Sequence, residues 1–268
     1  MLFRSPAVHD TLAGVSETYD IAPGPARPPL PGSVVVREDF DDLVHAIAAD
    51  LLVHAYACVR AFGSFHIALA GGPDLEQVYK RLMIDPAFRP LPWRRTHLWI
   101  IRDRPAVGAA DAESETAWGM IGPTLADHSG MPASQIHPIA PHLPDAAERY
   151  ERALQEALEW REPGHDRLDC ALLSLEEEVA RTDPPAATER LVARGGNEDD
   201  SWVGLTRRML NGARFVGVVC RGERARPHVD RLLAEAAPLG LSLLGGELRW
   251  YLDGGAAGRA SGGGGTDE

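Results

Sequence analysis

Three short segments of the sequence carry groups that could take part in chemistry. Gly71 and Gly72 follow one apolar run, Asp103 and Arg104 follow another, and the acidic run Glu176–Glu178 follows a third. Glycine amides and cations bind anions such as phosphate, and carboxylates can act as general bases. The segments therefore predict an anion-binding site or an acid–base site, provided that the fold brings them together.

The glycine pair is the candidate anion-binding element. The amides of Gly71 and Gly72 open onto a helical pattern, and Arg224 adds a cation, so this set is suited to holding a phosphate. Asp74 lies in the same turn and would repel an anion. The alternative interpretation is that the two glycines only make a tight turn between a strand and a helix.

The carboxylates are weaker candidates for a general base. Burial or like-charged neighbours would raise the pKa of a glutamate of the run, such as Glu176 or Glu178, toward a useful value, and Asp103 is a further candidate. The alternative for the glutamates is the solvated acidic first turn of a helix. The alternative for Asp103 and Arg104 is a surface salt bridge, although a site at the edge of a sheet would also include Arg104 as a binding residue.

Charge and ligand spacing exclude several kinds of partner. The sequence has 39 acidic and 27 basic residues, and its net charge of −12 would repel nucleic acid. His137 and His142 lie beside prolines and have no carboxylate or thiol at ligand spacing. Cys58, Cys170 and Cys220 lie in apolar runs without the paired spacing of a zinc site, so we expect buried thiols and no metal. No cofactor is expected either.

The hydropathy of the chain predicts no membrane partner. The N-terminal sequence lacks the long apolar core of a signal peptide, and no stretch approaches the roughly 18 apolar residues that a membrane span requires. We therefore expect a soluble cytoplasmic protein. The sequence favours no particular oligomeric state.

Apolar runs alternate with helical patterns along most of the chain. The runs are SVVV, FHIALA, THLWIIRD, DCALLSL, FVGVVCRG and GELRWYLD. Runs of this length separated by helices are typical of parallel βαβ units. We expect an α/β domain with a Rossmann-like, mostly parallel sheet and helices on both faces. Ligands bind such sheets at the carboxyl ends of the strands, here in the loops after Ala70, Ile101, Leu173 and Cys220.

The two ends of the chain differ in composition from this domain. Residues 1–32 are rich in proline, including IAPGPARPPLPG, and predict a flexible leader. Residues 254–268 are rich in glycine and predict a disordered tail. A single folded domain is expected over residues 33–253.

Several motifs match one family in order along the chain. FHIALAGGPDLEQVYKRL keeps the glycines of a G-G-S-T-P turn, with Pro73 and Asp74 in place of its serine and threonine. HLWIIRDRP resembles a strand ending in G-D-E-R-x-V-P, with Arg102 at the first acidic position. LTRRMLNGARFVGVVCRGERA resembles a T-L-T block whose lysine is replaced by Arg224. Together these segments resemble the 6-phosphogluconolactonase family, related in fold to ribose-5-phosphate isomerase.

The segment after the strand DCALL departs from the family pattern. The family has a glycine-rich loop there, G-x-G-x-D-G-H-x-A-S-L-F-P, whose histidine serves as general base toward water. This chain reads SLEEEVA, which puts Ser174, Glu176 and Val179 at the glycines and Ala180 at the histidine. Because a methyl group cannot accept a proton, the resemblance implies an impaired catalytic site.

The leading hypothesis is a catalytically degenerate 6-phosphogluconolactonase-like protein of the pentose phosphate pathway. Its ligand would be a phosphosugar, 6-phosphogluconolactone or 6-phosphogluconate. One alternative is an active hydrolase that uses a carboxylate base, Asp103 or a glutamate of the acidic run. Another is a non-catalytic interaction scaffold, which would bind no phosphosugar.

Overall fold

A central sheet of seven strands, each paired in parallel with its neighbours, forms the middle of the domain. The computed structural model describes residues 27–106, 116–159, 167–179, 189–196, 201–235, 238–243 and 245–258. The strands of the central sheet, in chain order, are β1 (Ser33–Arg37), β2 (Phe65–Leu69), β3 (Thr96–Ile100), β5 (Ile136–His137), β6 (Cys170–Ser174), β9 (Phe215–Cys220) and β10 (Glu247–Asp253). Their spatial order is β1-β10-β9-β6-β2-β3-β5, so the predicted α/β fold with a mostly parallel sheet is confirmed.

Helices connect the strands, and a small second sheet stands beside the main one. The helices are α1 (Phe40–Phe62), α2 (Pro73–Ile84), α3 (Ala117–Ile121), α4 (Asp127–Ser129), α5 (Ala146–Leu158), α6 (Leu175–Val179), α7 (Arg207–Asn211), α8 (Gly222–Leu232) and α9 (Gly254–Ala257). The strands β4 (Arg102–Asp103), β7 (Val192–Gly195) and β8 (Trp202–Leu205) form the antiparallel second sheet in the order β4-β8-β7.

The four strands whose loops were predicted to bind a ligand are neighbours inside the main sheet. β9, β6, β2 and β3 are consecutive neighbours, and every residue of β2, β6 and β9 is buried. Strands buried on both faces are continuous apolar runs, which is why their sequences do not alternate. The loops that follow these strands therefore meet at one edge of the sheet, which we call the carboxyl edge.

Helix α1 shows how the sequence fixes an element of this fold. The side chain of Asp39 accepts a hydrogen bond from Asp42 N at 2.8 Å, and Gly63 ends the helix with φ +81°. Leu43, Ile47 and Leu51 are buried on one face. By length and composition α1 is also apolar enough to cross a membrane, contrary to the expectation that no such stretch exists; core helices of globular proteins meet the same criterion.

The folded domain extends beyond both of its expected boundaries. Leu30 is buried and Trp250 Nε1 donates to Pro31 O at 2.8 Å, so the end of the expected 1–32 leader is packed against the last strand. At the other end, Gly254–Ala257 is helical and Ala256 is buried, because Asp253 caps this turn through Ala256 N. The remainder of the leader and of the tail lies outside the described residues.

Candidate active site at the carboxyl edge

The Gly71–Gly72 turn ends β2 and leads into α2. Gly72 has φ +108°, a conformation that a side chain strains. A Cβ on Gly71 would lie 3.0 Å from Ala117 Cβ, so the first turn of α3 packs directly on this glycine. Both glycines are therefore required by backbone geometry and packing, whichever ligand the turn holds.

Asp103 binds backbone amides rather than side chains or solvent. The residue is 4% exposed, and Oδ1 accepts from Arg104 N and Ala117 N, each at 2.9 Å, while Oδ2 accepts from Trp118 N at 3.1 Å. Burial raises the pKa of Asp103, and the three backbone hydrogen bonds oppose that shift. In this arrangement Asp103 fixes the start of α3 to β4, and both oxygens are already used.

The acidic run folds as the short helix α6, and its three side chains have different surroundings. Glu176 is exposed. Glu177 Oε2 accepts from Arg102 Nη2 at 2.7 Å, and the same nitrogen donates to the Glu177 carbonyl at 3.2 Å. The side chain of Glu178 is 2% exposed and pairs with Arg207 Nη1 at 2.5 Å. Two of the three carboxylates are thus held by arginines.

A second ion pair lies beside the glycine turn. Arg221 follows β9 and its Nη1 donates to Asp74 Oδ1 at 2.9 Å, while the guanidinium lies 4.2 Å from the ring centroid of Phe40. The helix that follows is closed at its start, because Gly222 N donates to both oxygens of Asp253 at 2.8 and 2.9 Å. The amino terminus of α8 is therefore capped by the protein itself.

The two predicted cationic binding residues, Arg104 and Arg224, are exposed. Arg104 follows β4, and Arg224 lies in the first turn of α8, so both belong to segments that begin at the carboxyl edge. The carboxyl edge thus brings together the glycine turn, Asp103 and the glutamates of α6.

A cavity of about 350 Å³ lies beside α6, and neither glycine of the turn lines it. It is bounded by α6, α7, α8 and Leu239. Glu178 and Arg207 lie on its wall together with His228 and Arg231. None of these side chains except Glu178 was predicted from the sequence to belong to a site.

A separate group of rings stacks on the β2-β3-β5 side of the main sheet. His66 and His97 stack with centroids 4.2 Å apart, and His137 stacks on Trp99 at 3.7 Å. His97 Nδ1 and His137 Nε2 share a hydrogen bond at 3.3 Å. The rings lie face to face, and over the described ranges no group of histidine, cysteine or carboxylate side chains is arranged to hold a metal ion.

Acid is expected to destabilise the fold through this stack. Burial, with a smaller contribution from His97, lowers the pKa of His137 to about 4 from its ordinary 6.5. Because the unfolded chain takes up this proton at the higher pH, the stabilisation is complete above pH 6.5 and is lost between pH 6.5 and 4. Through His137 the parent protein should lose about 2 kcal/mol of its free energy of unfolding over this pH range, after allowance for partial exposure. The His137→Gln variant should not show this loss.

The measurement is the free energy of unfolding in urea at several pH values. The exposed His142→Gln is the matched control and should follow the parent protein. A His137→Gln profile that runs parallel to the parent profile would contradict the assignment.

The comparisons with known proteins decide the family. Residues 38–245 match the family model of glucosamine-6-phosphate isomerases/6-phosphogluconolactonase, which is more than half of the chain. The chain belongs to this family. It is similar in sequence to the human GDH/6PGL endoplasmic bifunctional protein, with 26% identity over 267 residues that cover 87% of the chain and 32% of that protein. The chain spans about a third of the length of this curated relative.

Solved structures show the same fold. The devB protein superposes with a TM-score of 0.71 at 23% identity, over 84% of this chain and 98% of its own. 6-Phosphogluconolactonase from Trypanosoma cruzi superposes with a TM-score of 0.69 at 18% identity, over 88% of this chain and 99% of its own. The resemblance expected from the motifs is thereby confirmed.

Against the 6-phosphogluconolactonase pattern, α6 occupies the place of the glycine-rich loop. Ser174 is the last residue of β6, and Glu176 and Val179, at the positions of two further glycines, are helical. Ala180, at the position of the family histidine, lies outside the described residues. The same is true of Ser114, which matches the serine of the family's D-S-N segment, and of Glu115, which stands at its asparagine position.

Sequence reasoning missed the arginines that hold the acidic side chains. Arg102 stands at an acidic position of the family motif, and the run of glutamates is equally foreign to the family loop. Arg102 and the glutamates thus have opposite charges that the family motifs lack. Once both segments are placed at the carboxyl edge, these charges indicate an ion pair. Arg207 and Arg221 carry no such signal, because they lie at positions of the T-L-T block at which the family pattern specifies no residue type.

Proposed function

We propose that this chain is a phosphosugar-binding member of the 6-phosphogluconolactonase family that does not hydrolyse lactones. Its ligand would be 6-phosphogluconolactone or 6-phosphogluconate. The site would be the carboxyl edge around the Gly71–Gly72 turn, with Arg104 and Arg224 as cations and without a metal or other cofactor. The net charge of −12 supports a small ligand rather than nucleic acid.

The non-hydrolytic part of the proposal rests on the candidate bases, whose carboxylates are mostly bound by other groups of the protein. Glu177 and Glu178 are paired with arginines, and Asp103 accepts three backbone hydrogen bonds. A carboxylate whose oxygens are already bound by a cation or by amides is not free to approach a water molecule and take its proton. Glu176 is exposed, and Ala180 replaces the histidine, so no strong base is supplied to water by these positions.

The binding part of the proposal rests on donors that need no proton transfer. Pro73 is the first residue of α2, and the Gly72 side of this helix has no side-chain cap. Amides at such a helix start, together with nearby arginines, favour an anion. A phosphosugar fits this chemistry because its phosphate is an anion and its hydroxyls are small polar groups.

Ligand-dependent stabilisation tests the proposal. A ligand that binds only the native state raises the melting temperature, and 6-phosphogluconate at a hundredfold excess over Kd should stabilise by about 2.7 kcal/mol, or about 5 °C for a chain of this size. Gluconate, which lacks the phosphate, should have a much smaller effect. Arg224→Gln should reduce the shift, whereas Arg231→Gln, exposed on the same helix, should not.

An unchanged melting temperature with 6-phosphogluconate at 10 mM, a concentration on the order of a hundred times a typical Kd for such metabolites, would contradict binding. That result would favour the alternative of a scaffold without a sugar ligand. A shift of equal size with gluconate would instead contradict the role of the phosphate.

A cytoplasmic location is part of the proposal. The name of the human relative contains the word endoplasmic, so this part of the proposal is not carried over from that relative. Cys58, Cys170 and Cys220 are buried thiols, as expected from their apolar runs, and form no disulfide with one another, so none of them requires an oxidising environment. Recovery of the native chain in a membrane or lumenal fraction would contradict it.

A further inference from the structure

Two carboxylates of the protein flank the turn at which a phosphate would bind. Asp74 accepts from Arg221 on one side. On the other side Glu177 pairs with Arg102, and its Cγ lies 3.8 Å from the position that a Cβ on Gly72 would take. The two arginines beside the turn are therefore already bound to protein carboxylates.

The carboxylate of Asp74 has the features expected of an anion bound beside the Gly71–Gly72 turn. It is the second residue of α2, where the helix dipole favours a negative charge. Its side chain is 14% exposed, against 44% for that of Arg221, so the acid is the more enclosed member of the pair. The guanidinium of Arg221 also packs over the ring of Phe40.

An incoming phosphate would meet the same attractive groups and one repulsive one. The turn and Arg221 attract any anion, but a phosphate dianion next to the carboxylate of Asp74 is repelled by a like charge. To bind Arg221, the phosphate must displace Asp74. The charge of Asp74 should therefore act directly on ligand affinity.

We propose that Asp74 is a specificity-determining residue that competes with the phosphate of the ligand for Arg221. The inference rests on the proposed phosphosugar site and adds the device that sets its affinity. Ligands with a dianionic phosphate bind weakly as long as Asp74 holds Arg221, and they bind more tightly when the carboxylate is removed.

The test compares two acidic residues in the first turn of α2. Asp74→Asn removes the carboxylate beside Arg221, whereas Glu76→Gln removes a carboxylate that pairs with Lys80 at 3.0 Å on the same helix. Both changes raise the net charge by one unit and remove one acid from the helix start. Titration calorimetry with 6-phosphogluconate, and with gluconate as the unphosphorylated probe, reports the affinity of each variant.

We expect Asp74→Asn to tighten 6-phosphogluconate binding about tenfold, since relief of a like-charge contact at a binding site has effects of at least this size. Glu76→Gln should change the affinity less than about twofold, because Glu76 pairs with Lys80 of its own helix and a partly exposed pair of this kind contributes little. Binding of gluconate should not change. Asp74→Thr, which restores the residue of the family turn, gives a second variant if the asparagine protein folds poorly.

The outcomes separate this inference from the proposed function. If the parent protein binds 6-phosphogluconate and neither Asp74 variant binds it more tightly, Asp74 does not compete, and the proposed function stands. If only the Asp74 variants bind, the competition is supported, and binding by the natural chain is contradicted. If no variant binds, both are overturned.

Discussion

Hydrolysis of 6-phosphoglucono-δ-lactone is expected to proceed at its spontaneous rate in the presence of this protein, even when the protein is in excess. Loss of a general base costs about 10²–10⁴ in rate, and here Ala180 stands at the position of the family histidine. Helix α6 adds side chains where the family loop has glycines. The measurement is the initial rate of lactone opening, corrected for buffer and compared with an intact family enzyme at equal concentration.

A replacement base would show itself in this assay. If a rate above the spontaneous one is seen, Glu176→Gln and Glu178→Gln identify the source, because only a catalytic carboxylate would take the activity away. We expect both variants to be indistinguishable from the parent chain. An activity lost in Glu176→Gln alone would contradict the non-hydrolytic assignment and support the carboxylate mechanism.

Removal of Arg207 is expected to cost about 3 kcal/mol of folding stability, because it breaks an ion pair with the buried carboxylate of Glu178. The Glu178 side chain is 2% exposed and lies 2.5 Å from Arg207 Nη1. The cavity beside the pair admits some relaxation, which places the expected cost at the low end of the range for broken buried pairs. Urea unfolding of Arg207→Ala measures it.

The adjacent Arg208 provides the control. Its Nη1 donates to the Glu189 carbonyl at 2.7 Å in an exposed contact, so Arg208→Ala should cost less than about 1 kcal/mol. The double variant Arg207→Met/Glu178→Leu should recover most of the loss, since apolar residues of similar volume often replace a buried ion pair without penalty. Equal costs for Arg207→Ala and Arg208→Ala would contradict the account.

The sheet could be predicted because each of its longer strands corresponds to a continuous apolar run in the sequence. Apolar runs such as FHIALA and FVGVVC are bounded by turns, and they became the buried strands β2 and β9. The positions of Gly71, Gly72 and Asp103 at the carboxyl edge follow from the parallel topology alone. The family resemblance adds the order of the motifs, and the matched family model confirms it.

The pairing of charges was not predictable from any local pattern. Arg102 and Glu177 are 75 residues apart, and Arg221 and Asp74 are 147 apart, so their contacts exist only after the whole sheet has formed. The second sheet was missed for a similar reason: β4 has two residues, and its partner β8 is not among the apolar runs identified in the sequence. Short antiparallel pairs depend on tertiary context more than on propensity.

The central claim is that the phosphosugar binds and is not hydrolysed, and ³¹P NMR of freshly generated 6-phosphoglucono-δ-lactone with excess protein tests both parts in one sample. The account predicts a shifted or broadened phosphorus resonance for the bound lactone, and decay of the lactone no faster than in buffer. A lactone signal that disappears faster than in buffer would contradict the loss of catalysis. A resonance that protein leaves unchanged would contradict binding.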